Sequence, residues 1–330
     1  MKRVKIKSKN LYLDKPKINF FSSGAALLDC VLGGGYCFNR ILNIIGDRST
    51  GKTLLAIEAA ANFILEEPNG EVIYTEVESA FDDRFAKAIG FPFNKAVFPK
   101  DIFTVEDLFA DFRKRLDDKP KLYIVDSLDA LTTETEDKRE MGAASYGTEK
   151  AKQMSELLRR MTQKLSKSNI TLLVISQTRD KIGVAFGERH TTAGGRALHF
   201  YSSQRIWLSQ IGTIYKTVKK IKRPTGIRIK VKCKKNKVGL PFRECEIPIV
   251  FNYGIDDARA CLEWLTSVKQ LDLVGLTKSQ VPSFLRSLDN TNMIDYSQKV
   301  EKITRITRKV WRMVEDNFKP RRPKKYTNEE

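Results

Sequence analysis

Histidine and cysteine are too scarce in this chain for the chemistries that depend on them. His190 and His199 are the only histidines, which excludes a histidine-rich metal centre. The five cysteines (Cys30, Cys37, Cys233, Cys245 and Cys261) are odd in number and form no C-x-x-C pair, so neither a disulfide framework nor a zinc site is expected. No apolar run approaches the roughly 20 residues that span a bilayer, and no internal repeat is present. The basic opening Met1–Lys7 is followed by no apolar segment of signal-peptide type, so a cytoplasmic location without membrane attachment is expected. Acidic residues are also in short supply: 40 Asp and Glu stand against 59 Lys and Arg, a net charge of +19. An excess of that size favours a polyanionic partner, most simply nucleic acid. The 330 residues, 41% hydrophobic and 30% charged, otherwise describe a soluble globular protein of one large or two ordinary domains.

What is present is a phosphate-binding loop in its required setting. Gly46-Asp47-Arg48-Ser49-Thr50-Gly51-Lys52-Thr53 matches G-x-x-x-x-G-K-[ST] between the apolar run Ile41–Ile45 and the helical pattern Leu54–Ala60. Glycines let backbone N–H groups curl around phosphate oxygens, and the following helix directs its positive end at them. Lys52 reaches the β- and γ-phosphates of a nucleotide in such a loop, and the Thr53 hydroxyl ligates Mg²⁺. Leu122–Asp126 is an apolar strand ending in an acid, placing Asp126 to hold the same Mg²⁺ through water. Val72–Val77 is followed by Glu78, and Glu76 and Glu78 share one face of the pleat. One of the two can orient or deprotonate a water; the pattern does not choose between them. Leu172–Ser176 leads into Gln177, whose amide can bond a γ-phosphate and move when it leaves.

From Ser23 to about Val268, apolar strand runs alternate with helical stretches, which predicts an α/β fold on a mostly parallel central sheet. Further strands are expected at Arg205–Ser209, Ile227–Cys233 and Cys245–Val250, and helices at Thr53–Leu65, Phe81–Ile89 and Thr148–Leu165. Thr132–Tyr146 and Thr178–Gly195 break the rhythm and read as long mobile loops. The expected organisation is a basic N-terminal arm (1–22), the α/β core (23–268), a small helical C-terminal region (269–318) and a disordered basic tail (319–330). Helices are expected over Leu271–Leu288 and Tyr296–Phe318.

Together these pieces resemble the RecA-type homologous recombinases. The resemblance begins at Ser23–Asp29 with Leu32–Gly35 and is most specific at Gln177–Val184, Phe186-Gly187 and Thr191–Gly195. Lys234–Lys237 with Pro241-Phe242 is a second diagnostic run. The resemblance implies a RecA-type P-loop ATPase core using ATP and Mg²⁺, with Glu78 as the catalytic glutamate and Glu76 in a supporting role. It further implies that Asp82 lies near the adenine amino group and that Phe85 stacks on the base. Lys235 and Lys237 match lysines that reach ATP bound by a neighbouring protomer, and Phe200 an aromatic residue that couples subunits. Two DNA-binding loops are implied, about 134–150 and 178–195. In the second, Arg179 and Arg196 would contact phosphates and Ile182 would wedge between bases, with Lys181 beside them. Tyr146 stands near the wedge of the first, and Lys152 and Arg159 match basic positions on the helix that follows.

The function this implies is a DNA-dependent ATPase that assembles on single-stranded DNA, as a filament or ring with ATP at subunit interfaces, and exchanges it with a homologous duplex. The alternative is a RecA-fold ATPase, a mediator or helicase-like motor, that anneals or remodels DNA without strand exchange. Departures from the bacterial pattern are Asp47–Thr50 in place of Pro-Glu-Ser-Ser, a shorter N-terminal segment without the usual packing helix, and a basic rather than acidic tail. Such a diverged form suits a bacteriophage- or plasmid-encoded member.

Overall fold

Side chains alternate along an extended chain, so a strand that is apolar at every position must be covered on both faces. The runs around Leu122 and Leu172 meet that condition in the computed structural model, which describes residues 18–138, 147–165, 167–180, 190–192 and 195–322. Leu122 and Ile124 face one core with Leu173 and Ile175, while Tyr123, Val125, Leu172 and Val174 face the other. In chain order the elements begin β1 (Phe20–Phe21), α1 (Ala26–Leu32), β2 (Tyr36–Cys37), β3 (Ile41–Gly46), α2 (Lys52–Glu66), β4 (Glu71–Glu76), α3 (Asp83–Ile89) and β5 (Ala96–Val97). There follow α4 (Val105–Lys114), β6 (Lys121–Asp126), α5 (Glu134–Asp137), α6 (Gly147–Leu165), β7 (Ile170–Asp180), β8 (His190–Thr192) and α7 (Gly195–Tyr201). The last are β9 (Gln204–Val218), β10 (Ile221–Asn236), β11 (Glu244–Val250), β12 (Gly254–Ile255), α8 (Asp257–Ser267), α9 (Val281–Leu288) and α10 (Met293–Asn317).

The main sheet runs β12-β11-β10-β9-β3-β7-β6-β4-β5, with β8 paired to β7. Strands β9, β3, β7, β6, β4 and β5 are mutually parallel; β10, β11, β12 and β8 join antiparallel. The α/β fold with a mostly parallel sheet is thus as expected from sequence. Because β3, β7, β6 and β4 are adjacent and parallel, the ends of all four open on one edge, where ligands bind in such sheets.

Three sequence expectations are corrected. Leu271–Leu288 is not one helix: a 3-10 turn at Leu271–Val274 stops at Gly275, which adopts φ 81°, and α9 starts only at Val281 with Pro282 in its first turn. The stretch expected as a loop from Thr178 to Gly195 begins within β7 and includes the strand β8, with Thr178 opposite Thr192 and Asp180 opposite His190. The strands expected at Arg205–Ser209 and Ile227–Cys233 extend far past the sheet as a hairpin. Helix α4, not among the expected elements, carries a local start signal in its capping box: Thr104 Oγ1 accepts from the Asp107 N–H at 3.0 Å.

Helix α10 follows its expected range closely and packs on α1 and α8, carrying Ile303 and Val310 into the first core. Arg243 holds its far end through Nε to Glu315 Oε1 (2.9 Å) and Nη2 to Oε2 (2.6 Å). Arg308 donates to the buried Asp29 at 3.1 Å. Residues 1–17 of the expected N-terminal arm and 323–330 of the expected tail lie outside the described residues. No described helix is long and apolar enough to cross a membrane.

Candidate active site

The chain leaves β3 at Gly46 and enters α2 at Lys52, so the connecting loop must turn tightly around a point in front of the helix. Two glycines permit this for different reasons. A Cβ on Gly46 would lie 2.4 Å from Thr50 Oγ1, and Gly51 adopts φ 85°, where a Cβ would also meet Ile249 at 2.6 Å. The loop is braced from within by Thr50 Oγ1, which donates to the Asp47 carbonyl at 2.8 Å. The Lys52 ammonium donates to the same carbonyl at 2.7 Å, which keeps it over the loop. Burial pulls the Lys52 pKa down, against the opposing pull of Asp126, Glu78, Asp47 and Asp129.

Asp126 is at the end of β6, and one of its oxygens, Oδ2, accepts from Thr53 Oγ1 at 2.9 Å and from Tyr74 OH at 2.7 Å. Burial raises its pKa; the Tyr74 and Thr53 bonds favour the ionised form, and Glu78 and Glu76 repel it. Among the described residues no group of three or more His, Cys, Asp or Glu side chains is arranged to hold a metal ion. One carboxylate beside one hydroxyl instead fits Mg²⁺, which keeps most of its water and is carried on nucleotide phosphates.

The structure separates the two glutamates that the strand pattern leaves equivalent. Glu76 Oε1 accepts from the Ala80 N–H at 2.9 Å and so braces the turn after β4. Glu78 Oε1 accepts from Gln177 Nε2 at 3.0 Å and from the Ser127 hydroxyl. Gln177 is fixed in turn by its backbone N–H, which donates to Asp129 Oδ2 at 2.8 Å. Lys52, Thr53, Glu78, Asp126 and Gln177 therefore converge on one sheet edge. Asp82 caps α3, its Oδ1 accepting from the N–H groups of Arg84 (2.9 Å) and Phe85 (3.0 Å), with Phe85 half-buried one turn along.

Lys235 and Lys237 do not join this group. Lys235 pairs with Arg205, and Arg205 with Asn43, so the pair is set back from Gly46 by three residues of β3, roughly 10 Å along the strand. Both ammonium groups bond the carbonyl end of α7, Lys235 to Phe200 O at 2.9 Å and Lys237 at 3.1 Å. Burial, then the nearby charges of Lys237 and Arg205, push the Lys235 pKa down to about 8. Phe200 projects beside them, 68% exposed. Of the expected DNA contacts, Lys152 and Arg159 lie on the solvent face of α6, two turns apart. Tyr146, Lys181 and Ile182 lie outside the described residues, as do the side chains of Arg179 and Arg196.

Tyr74, Ser127 and Asp129 are missed from sequence. Tyr74 reads as core in an apolar strand, and its only signal is the two-residue spacing that aligns it with Glu76. Removing its hydroxyl in Tyr74→Phe leaves Asp126 with Thr53 alone. The Mg²⁺ concentration for half-maximal ATP hydrolysis is expected to rise about tenfold, as befits one hydrogen bond to a charged group. Turnover at saturating Mg²⁺ should change little, and a magnesium titration of both proteins measures the two effects.

The family model described as the RecA N-terminal domain matches residues 7–256. The chain is 37% identical to Protein RecA of Chlamydia trachomatis over 265 residues, covering 78% of this chain and 72% of that protein. It is 33% identical to Protein RecA of Mycoplasma mycoides over 304 residues, covering 88% and 85%. The same identity holds with Protein RecA of Trichodesmium erythraeum over 296 residues, covering 88% and 80%.

Proposed function

Because this chain belongs to the RecA family, we propose that its sheet edge couples ATP hydrolysis to a grip on DNA. The protein is a DNA-dependent ATPase of homologous recombination and recombinational repair, a RecA-like recombinase that uses ATP and binds DNA. In the working assembly the protomers line up on single-stranded DNA, as a filament or ring, with a nucleotide at each subunit interface.

Backbone N–H groups of Gly46–Thr53 and the N-terminus of α2 cradle the phosphates, and Lys52 adds a positive charge at their outer end. Thr53 would hold Mg²⁺ directly and Asp126 through water; bound there, the ion neutralises charge on the β- and γ-phosphate oxygens. Asp82 and Phe85 receive the base. Glu78 orients the attacking water and takes its proton. Lys235 and Lys237 act on the nucleotide of the adjacent protomer.

One observation carries this reading. The Gln177 side chain bonds Glu78, while Gln177 itself is the residue at which β7 runs on toward the 178–195 segment. A change in the γ-phosphate pocket is thereby felt at the base of that segment, and by linkage DNA bound there alters nucleotide affinity. Residues 178–195, about 134–150, and Lys152 and Arg159 form the DNA-facing side.

ATP hydrolysis is expected to rise at least tenfold with single-stranded DNA and to lose that stimulation as salt increases. Strand exchange between a single strand and its homologous duplex should proceed with ATP. In Gln177→Ala the stimulation should be largely lost while nucleotide binding, followed with a fluorescent ADP analogue, persists. Hydrolysis indifferent to DNA would overturn the reading; annealing without exchange would point to a remodelling ATPase instead.

A further inference from the structure

The hairpin of β9 and β10 outruns the sheet that anchors it. Pairing of β9 with β3 ends at Leu208, and pairing of β11 with β10 begins at Gly226. Gly226 faces Ile214 on β9, so residues 215–225, beyond that pair, form a two-stranded ribbon with no third strand among the described residues. Every residue from Tyr215 to Pro224 is exposed, including Tyr215 at 54%, Val218 at 56% and Ile221 at 59%. A ribbon of this kind buries little and contributes little to folding stability, so its length calls for another explanation.

Its charge supplies one. Its 11 residues carry Lys216, Lys219, Lys220, Lys222 and Arg223 and no acid. Val218 pairs directly with Ile221, so Lys219 and Lys220 form a two-residue turn at φ 48° and φ 66°. Such a turn ordinarily carries asparagine and glycine, because left-handed φ disfavours larger side chains. Lysine at both positions sets charge at the tip despite that preference. The register puts Lys216 and Arg223 on one face with Val218 and Ile221, and Lys222 with Tyr215 on the other. The Lys222 ammonium lies 4.6 Å from the centre of the Tyr215 ring, which braces it on that face.

We propose that residues 215–225 are a duplex-binding arm that enters the major groove of double-stranded DNA. Positive charge on both faces and at the tip matches a groove with phosphates on both walls; a single strand would lie along one face and leave the rest unmatched. The major groove, about 12 Å wide, admits a two-stranded ribbon, whereas the minor groove, about 6 Å wide, does not. Lys216 and Arg223 meet one wall, Lys222 the other, and Lys219 and Lys220 lead. The contacts are to phosphates, so capture of the duplex is independent of its sequence.

The arm rests on the proposed function, and the test keeps the two apart. The variant K216S/K219N/K220G/K222S/R223S removes the five charges and installs the preferred turn pair, which preserves the hairpin. Duplex affinity, read by fluorescence anisotropy at several salt concentrations, should fall at least a hundredfold at about 0.1 M salt. The slope of log K against log salt should become shallower by about 4. Single-stranded DNA affinity and single-strand-stimulated ATP hydrolysis should stay within about twofold of wild type. The companion K216R/K219R/K220R/K222R, which keeps the charge, should bind duplex like wild type; a loss equal to that of the neutral variant would overturn the charge argument. Unchanged duplex affinity in the neutral variant, an equal loss on single strands, or lost self-association with duplex binding intact overturns the arm alone. A wild-type protein whose hydrolysis ignores single-stranded DNA overturns the proposed function together with the arm.

Discussion

Glu78→Gln is expected to lower ATP turnover by two to four orders of magnitude while ATP affinity stays within a few-fold of wild type. The range is that of a positioned general base, about 3–5.5 kcal/mol of transition-state stabilisation. Glutamine is close to glutamate in shape and can still accept from Ser127 and Gln177, so the pocket should keep its form. The groups that hold nucleotide are untouched: Lys52 stays over the loop, and Thr53 and Asp126 remain bonded at 2.9 Å. With hydrolysis stalled, the ATP-bound state persists, and the lifetime of the single-stranded DNA complex should lengthen by a similar factor. Glu76→Gln is the discriminating control. Glu76 braces the turn at Ala80 rather than facing Gln177, so its neutralisation should cost less than about tenfold in turnover. Single-turnover hydrolysis and DNA dissociation on both variants decide the matter; comparable loss in the two would remove Glu78 from its role.

The sequence displays those features whose physics is local. Gly46–Thr53 is legible because one short segment contains both the turn and the helix start that bind phosphate. Asp126 is legible as an acid closing an apolar strand. Glu76 and Glu78 are not separable at that level, since a period of two places both on one face; they part only at the turn after Val77, where Ser79 takes φ 54° and Ala80 claims Glu76. Tyr74 is invisible for a different reason. Its hydroxyl meets Asp126 because β4 and β6 lie side by side with Glu76 opposite Asp126, a pairing that no stretch of either strand encodes alone. The ribbon is hidden likewise: nothing within residues 215–225 shows that pairing with the neighbouring strands stops at Leu208 and Gly226. The break at Gly275 lies within an amphipathic pattern that continues on both sides, so periodicity runs straight through it.

The double substitution Lys235→Ala with Lys237→Ala should reduce DNA-stimulated ATP turnover about a thousandfold, the loss expected when charge is withdrawn from a phosphoryl-transfer transition state. Nucleotide binding by an isolated protomer should be unaffected. The positions of the two lysines agree with this asymmetry. Both lysines bond the carbonyl end of α7 at the level of Arg205, set back from Gly46, while the catalytic groups stand beyond the ends of β3, β4, β6 and β7. Neither lysine side chain is directed at its own phosphate loop, yet both stand beside the exposed Phe200 on a surface that a second protomer can cover. Mixing separates action across an interface from simple damage. A protomer lacking the lysines keeps a complete phosphate loop and Glu78; a Glu78→Gln protomer keeps the lysines. In an equal mixture about a quarter of head-to-tail interfaces bring the intact halves together, so near a quarter of wild-type turnover should return. If the lysines act within their own chain, no arrangement of the two variants restores a site, and the mixture stays as inactive as its parts.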